Sequence, residues 1–385
     1  MRITDVQTHI IAAERAYATK TAFLHAADSD VQREPVSESW FVIIEAIDDG
    51  GNVGLGEISD IPIESLGRVK ELNRIVSDQL IGIDPSALTS LTERNAVPLD
   101  VRDDGTTYDI LNAGIDGAVL DLMAKTEGVS IADMFGGRVR DEVLVSWVAF
   151  IRDADSLEGE IQAKLEQGFR AFKLKVGLDP VLDRRRVEIF RDLGGDDLHL
   201  KLDANSAWNL EDAVEQLLAL EPWGVDGVET PIAYLDVEGK RELFRRTGVP
   251  VIEHVHDPDF AAALISREAV QVINCSTVGA GGIRRAREVL DFAHEAGIPC
   301  LLGSTVELGI GTAAQLHLAG SHPAVTWPSD LVGPWLYTDE VVVERFAETF
   351  AGGCLPVPVG PGLGVNLDRH KVELLRRGSA GDQNA

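Results

Sequence analysis

The sequence predicts an α/β protein: a closed barrel of parallel strands preceded by a smaller α+β domain. Three observations carry this. From about residue 141 onward, short apolar, β-rich runs alternate with amphipathic segments that end near Gly or Pro, the pattern of βα units laid side by side. Eight such runs occur, and no Gly-rich phosphate loop follows the first of them. Eight units without that loop favour a closed barrel over an open doubly wound sheet.

Along the chain, "RITDVQTHIIAA" and "WFVIIEAIDDGGNVGLGEI" read as strands, the second turning back through "DDGGN", and "TYDILNAGIDGAVLDLMAKTEG" reads as a helix. These form the α+β domain. The barrel strands are "VLVSWVAFI", "AFKLKVG", "LHLKLDAN", "VDGVETPI", "VPVIEHV", "VQVINCS", "IPCLLGST" and "VTWPSDL". Between them "SLEGEIQAKLEQG", "NLEDAVEQLLALEPW" and "IRRAREVLDFAHEAG" carry apolar residues at helical spacing. After Pro334 come a helix, "DEVVVERFAETF", a Gly/Pro-rich run, and a polar tail, "GSAGDQNA", that reads as frayed.

Composition limits the function classes. The chain has 385 residues, 45% of them apolar, enough for two domains and a sizeable core. No apolar run approaches the roughly 18 residues of a membrane span, and "MRITDVQTHI" lacks the regions of a signal peptide, so a cytoplasmic protein without membrane contact is expected. A formal charge of −28 argues against nucleic-acid binding, which needs clustered Lys and Arg. Cys275, Cys300 and Cys354 lack paired spacing, so reduced thiols are expected rather than disulfides or a zinc site.

Chemistry enters at "AFKLKVG". Lys173 and Lys175 must share a strand face, and a barrel whose helices cover Phe172, Leu174 and Val176 turns that face inward. Alone, a Lys-x-Lys strand reads as half-exposed with solvated lysines. The next three strands each carry an acid near the C-terminal end, Asp203, Glu229 and Glu253, one βα unit apart. Barrel active sites lie at that end. Any one of these acids could cap the following helix, but three at one rim require a cation, Mg²⁺ or Mn²⁺. A divalent cation offsets the charge that builds on a carboxylate substrate when its α-proton leaves. Lys175 suits the base, with burial, Lys173 and the cation all disfavouring its charged form.

Taken together, the Lys-x-Lys, "LDAN", the Glu before Pro231 and the acid on the fifth strand resemble the enolase superfamily, in its mandelate racemase and muconate lactonizing enzyme branch; pairing of a Lys base with Mg²⁺ is a known trait of that superfamily. "GSTVELGIGTAAQLHLA" is similar to the strand-seven region of the muconate-lactonizing subgroup. The resemblance implies a (β/α)7β-type TIM barrel (131–335) with an N-terminal α+β capping domain (1–130) completed by the C-terminal segment (336–385), and a homo-oligomer. It implies Asp203, Glu229 and Glu253 as Mg²⁺ ligands, Lys175 as base and Lys173 as its electrostatic partner. Asn205 falls near metal and substrate, although it also reads as a turn residue. Glu307 falls where an acid can hydrogen-bond the substrate carboxylate, or serves as a solvated loop acid. Mobile capping loops make "RAYATKTAFLHAADSD", with Tyr17, Lys20, Phe23 and His25, the candidate lid over a small carboxylate substrate.

One departure bears on the reaction. Ser276 stands where the subgroup has a second lysine, Gly279 replaces another frequent lysine, and "CLLGST" offers no histidine. Ser276, His254, His256, Thr305 or Cys275 could act opposite Lys175, but the usual second base is missing. β-Elimination of water needs one group, which both removes the α-proton and protonates the departing hydroxyl. A dehydratase of hydroxy acids, acid sugars or cyclic hydroxy amino acids is therefore expected. A racemase, epimerase or cycloisomerase with a non-standard second group is the alternative, and a non-catalytic binding barrel the other.

Overall fold

The computed structural model describes residues 1–21, 35–61, 74, 76–78, 80–85, 100–101, 107–108 and 110–377. Three antiparallel strands form the first sheet, β1 (Ile3–Thr19), β2 (Val36–Asp48) and β3 (Val53–Ile58), in that order. The β2–β3 turn forms because Asp48 accepts the N–H groups of Gly50 and Asn52, each at 2.8 Å, an Asx-type device that reverses the chain. Helix α1 (Ile110–Glu127) lies on this sheet. Val42, Ile44 and Ile58 meet Ile115, Ala118 and Leu122 in a separate apolar core. The approach is close because Gly56 has no side chain: a Cβ there would come 1.9 Å from the Gly114 carbonyl oxygen.

The second body is a seven-stranded parallel sheet in sequential order. Its strands are β4 (Ser146–Ala149), β5 (Ala171–Lys175), β6 (His199–Asp203), β7 (Gly227–Glu229), β8 (Val251–His254), β9 (Val272–Cys275) and β10 (Cys300–Leu302). The eighth run closes the ring as bridges rather than a strand, Val325 pairing with Cys300 and Ser329 with Val145. The crossovers are α2 (Ala154–Gln167), α3 (Pro180–Gly194), α4 (Leu210–Ala219), α5 (Val237–Thr247), α6 (Pro258–Ser266), a short α7 (Thr277–Ala280) with α8 (Ile283–Glu295), and α9 (Gly309–Ser321). Seven βα units and a final β segment make the (β/α)7β barrel the sequence predicts.

Cross-strand register shows which side chains face inward, because partners in a parallel ladder share a face. Lys173 pairs with Lys201, Lys175 with Asp203, Asp203 with Glu229, and Glu229 with Ile252. His254 pairs with Asn274. Ile252, Val272, Leu301 and Trp327 form a small apolar cluster of their own, the dry plug beneath the polar rim.

The C-terminal segment reaches the first sheet. Ile11 bridges to Arg376, and Arg369 donates to Glu45 at 2.6 Å. Glu57 of β3 accepts the N–H groups of Leu308 and Gly311, each at 2.8 Å, so the first domain caps the N-terminus of barrel helix α9. Cys275, Cys300 and Cys354 are free thiols. No helix among the described residues is long and apolar enough to cross a membrane.

Candidate active site

The polar rim begins with the two lysines. Lys173 is buried, with Nζ 2.8 Å from Asp330 Oδ2, 3.1 Å from Glu229 Oε1 and 3.6 Å from Asp203 Oδ2. Burial works against its charge, but the three carboxylates override that and hold the ammonium above the ordinary lysine range. Lys175 Nζ lies 2.5 Å from Asp203 Oδ2 and donates to Asn205 Oδ1 at 3.1 Å. Asn205, at φ 48°, also closes back on Asp203 through its N–H at 3.0 Å. It is both the turn residue and a side chain that aims the Lys175 ammonium.

Asp203 and Glu229 are not helix caps. Asn209 and Asp236 cap α4 and α5 instead, which leaves both carboxylates to the barrel mouth. Burial opposes charge on Glu229, yet Lys173 and His254 hold its carboxyl well below the usual range. His254 Nε2 is 2.9 Å from Glu229 Oε1.

Glu253 departs from expectation. It lies one residue out of phase with the inward face, and its carboxylate turns to the helix layer. Lys240 of α5 holds it at 3.1 Å, and Thr230 donates to it at 2.7 Å. Lys240 is itself fully buried and donates to the carbonyls of Ala233 and Tyr234. The inner donor set is therefore Asp203, Glu229 and His254. Two carboxylates are what Mg²⁺ commonly takes from a protein, so Asp203 and Glu229 fit a hard divalent cation; the expected third carboxylate does not join them. Among the described residues no three His, Cys, Asp or Glu side chains form a ready-made metal cage, and the lysine ammonium groups lie between the carboxylates instead.

Other expectations shift as well. Glu307 is buried, and its carboxylate accepts from Ser304, the Thr305 N–H and hydroxyl, and Gln315, so it shapes the loop after β10 and is not the solvated loop acid that was the other expectation. Ser276 caps α7, its hydroxyl accepting the Gly279 N–H at 2.9 Å. Tyr17 belongs to β1, which continues to Thr19, and not to a loop. Its ring lies under Arg152 at 4.4 Å and edge-on to Phe150, docking the first sheet on the end of β4. The Lys20 carbonyl accepts the Ile151 N–H at 3.0 Å. His25 and Phe23 lie outside the described residues. Cys275 is buried with its sulfur toward the α8 carbonyl of Ala286, and burial pushes its thiol up.

Three further residues, Asp330, Lys201 and Arg186, complete the site. Asp330 joins Lys173 and Lys201, 2.8 Å from each ammonium; it is an acid near the C-terminal end of the eighth run, as Asp203 is of the third. Lys201 is inward by the same i, i+2 rule that links it to Asp203. Arg186 of α3 is fully buried and donates to the carbonyls of Phe150 and Lys175, tying the ends of β4 and β5 together. A buried helical arginine carries no distinctive sequence signal. Backbone strain also gathers here: Asn205, Ser206, Thr230 and Val306 follow barrel strands with positive φ, a conformation side chains resist and functional sites often hold.

The ring of eight places β9 opposite β5. At that far side His256 fills the space beside Gly279, where a Cβ would come 2.4 Å from its Nδ1. The absence of a side chain at 279 thus makes room for an imidazole.

Fold and site together define a capped (β/α)7β barrel with a lysine–carboxylate mouth. Comparison with known proteins narrows this. Residues 156–371 match "Enolase C-terminal domain-like", and residues 19–136 match "Mandelate racemase / muconate lactonizing enzyme, N-terminal domain". The chain is 34% identical to Muconate cycloisomerase 1 of Rhodococcus opacus over 69% of its own length and 72% of the relative's. It is 26% identical to L-Ala-D/L-Glu epimerase of Bacillus subtilis (strain 168), over 95% and 97%. The structure of muconate lactonizing enzyme from Pseudomonas fluorescens complexed with muconolactone superposes with TM-score 0.86, at 26% identity, covering 98% of this chain and 99% of that one. The chain belongs to the mandelate racemase/muconate lactonizing enzyme family of the enolase superfamily. These relatives carry isomerase names, cycloisomerase and epimerase, rather than the lyase name expected from the missing second lysine.

Proposed function

We propose that this protein removes the α-proton of a small carboxylate with Lys175 and returns a proton to the same carbon from the opposite face, as a racemase or epimerase. The observation that carries the reading is Lys175 Nζ held 2.5 Å from Asp203 and 3.1 Å from Asn205 on the inner rim, where, as the uncharged amine, it would accept the α-proton and become the ammonium. A divalent cation held by Asp203 and Glu229, Mg²⁺ or Mn²⁺, would offset the negative charge that builds on the substrate carboxylate as the proton leaves. Lys173, kept charged by its carboxylates, adds positive charge at the same place. On the far side His256, beside Gly279, would take the role that a lysine plays in the muconate-lactonizing subgroup, since imidazole exchanges protons near neutrality. Muconate and L-Ala-L-Glu are the first substrates to try, because relatives are named muconate cycloisomerase and L-Ala-D/L-Glu epimerase.

A second reading has its own observation. Ser276, which stands where the muconate-lactonizing subgroup has its second lysine, is engaged in the α7 cap, and β-elimination from one face needs no second base.

A library of dipeptides, dicarboxylates and hydroxy acids incubated with the protein and Mg²⁺ in D₂O, followed by NMR and mass spectrometry, tests both. Deuterium at the α-carbon with inversion is the expected result, and His256→Asn should retain exchange while losing inversion. Loss of water would select elimination. Neither exchange nor turnover across the library would overturn both.

A further inference from the structure

The inner rim carries a histidine where a third acid was expected, and we infer that His254 is a ligand of the divalent cation, making an Asp203–Glu229–His254 site that favours Mn²⁺ over Mg²⁺. This rests on the metal-dependent reading above and specifies which atoms of this chain define the metal.

The argument is one of register. Glu229 pairs with Ile252, and His254 with Asn274, so residues 252 and 254 face the barrel axis and 253 faces the helices. Side-chain contacts agree. Glu253 is held from outside by Lys240, while His254 Nε2 already lies 2.9 Å from Glu229 Oε1. The His254 side chain retains 27% exposure, enough to be reached from the mouth.

A neighbouring side chain points to a ligand independently. Asn274, the register partner of His254, is fully buried, and neither its Oδ1 nor its Nδ2 finds a hydrogen-bond partner among the described residues. A buried amide left without partners is costly. Its orientation is built in: a Cβ at Gly303 would come 2.3 Å from Asn274 Oδ1, so the glycine makes room for an inward-facing amide. The polar groups of a bound ligand or of a cation's water shell are what such an amide can recognise.

The chemistry of the donors sets the metal preference. Imidazole is a softer donor than carboxylate and suits first-row transition metals, whereas Mg²⁺ prefers oxygen and keeps its waters. Exchanging a carboxylate for a neutral imidazole also removes one negative charge, which weakens the hold on a hard cation most.

Mn²⁺ added to the full-length protein, carrying selectively ¹⁵N-labelled histidine, serves as the probe, read by pulsed electron paramagnetic resonance. The expected result is nitrogen modulation of bound Mn²⁺ that changes with the label and vanishes in His254→Asp. That variant should still bind Mn²⁺, with the ratio of Mn²⁺ to Mg²⁺ affinity lowered roughly tenfold. Mn²⁺ that binds and is displaced by Asp203→Asn, yet shows no histidine nitrogen, would overturn the inference and leave the proposed function standing. Absence of saturable Mn²⁺ binding in the folded wild-type protein would overturn both.

Discussion

Lys173 Nζ and Asp330 Oδ2 lie 2.8 Å apart inside the barrel, and the other Asp330 oxygen is 2.8 Å from Lys201 Nζ. One carboxylate at the closing segment thus anchors ammonium groups from β5 and β6. All three side chains are nearly free of solvent, so removing the Asp330 charge takes the 2.8 Å carboxylate from Lys201 and leaves Lys173 to Glu229 and Asp203. Asp330→Asn should cost about 3–5 kcal/mol of unfolding free energy, measured by urea denaturation. An unchanged midpoint would mean that Glu229 and backbone acceptors suffice.

Lys175→Ala should leave the fold intact and reduce α-proton exchange by ~10²- to 10⁴-fold, the usual share of a positioned base. Asn205→Ala should lose less, because Asp203 still holds the ammonium. Exchange rates in D₂O, with circular dichroism as the control for folding, check this. Equal losses in the two variants would assign Asn205 a direct role with substrate.

Glu253→Gln should behave as a stability variant. With the negative charge gone, the buried Lys240 ammonium keeps neutral partners, the carbonyls of Ala233 and Tyr234 and the Tyr234 ring, a loss of about 3–5 kcal/mol. Pairing it with Lys240→Met should recover part of that loss, since no buried charge is then left alone. Mn²⁺ affinity of the folded double variant, measured by titration, should stay near that of the wild type.

Asp183 supplies a pH signature. Burial pushes its carboxyl up to about 6, although it accepts the Gly177 N–H at 2.7 Å just beyond Lys175. A carboxyl raised on folding favours the fold while protonated; its contribution is complete below the unfolded value and is lost as pH rises through about 6. Relative to Asp183→Asn, the wild type should lose roughly 3 kcal/mol between about pH 4 and 7. Parallel denaturation series at several pH values read this directly, and parallel curves for the two proteins would contradict it.

The βα alternation, the inward Lys173/Lys175 pair and the acids Asp203 and Glu229 were legible because local periodicity carries them. A strand repeats every two residues, and residues two apart must share a face whatever the tertiary context. Asp330 is legible only as an acid near the end of the eighth apolar run, because that run forms bridges rather than a strand with a fixed period. Glu307 was legible as an acid near the seventh strand, but only the packed loop of Ser304, Thr305 and Gln315 shows where its hydrogen bonds go.

The sequence by itself determined a capped parallel barrel, its family, and two lysines with two carboxylates at one rim. Tertiary structure alone decided between Glu253 and His254. Both flank the same strand end, and a strand buried on both faces gives no polar alternation from which to read its phase. Pairing of Glu229 with Ile252, together with Lys240 waiting in the helix layer, turns the acid outward and the imidazole in. Likewise, only the folded ring brings His256 of one strand end against Gly279 of the next, because proximity across a barrel is a property of closure and not of chain neighbourhood.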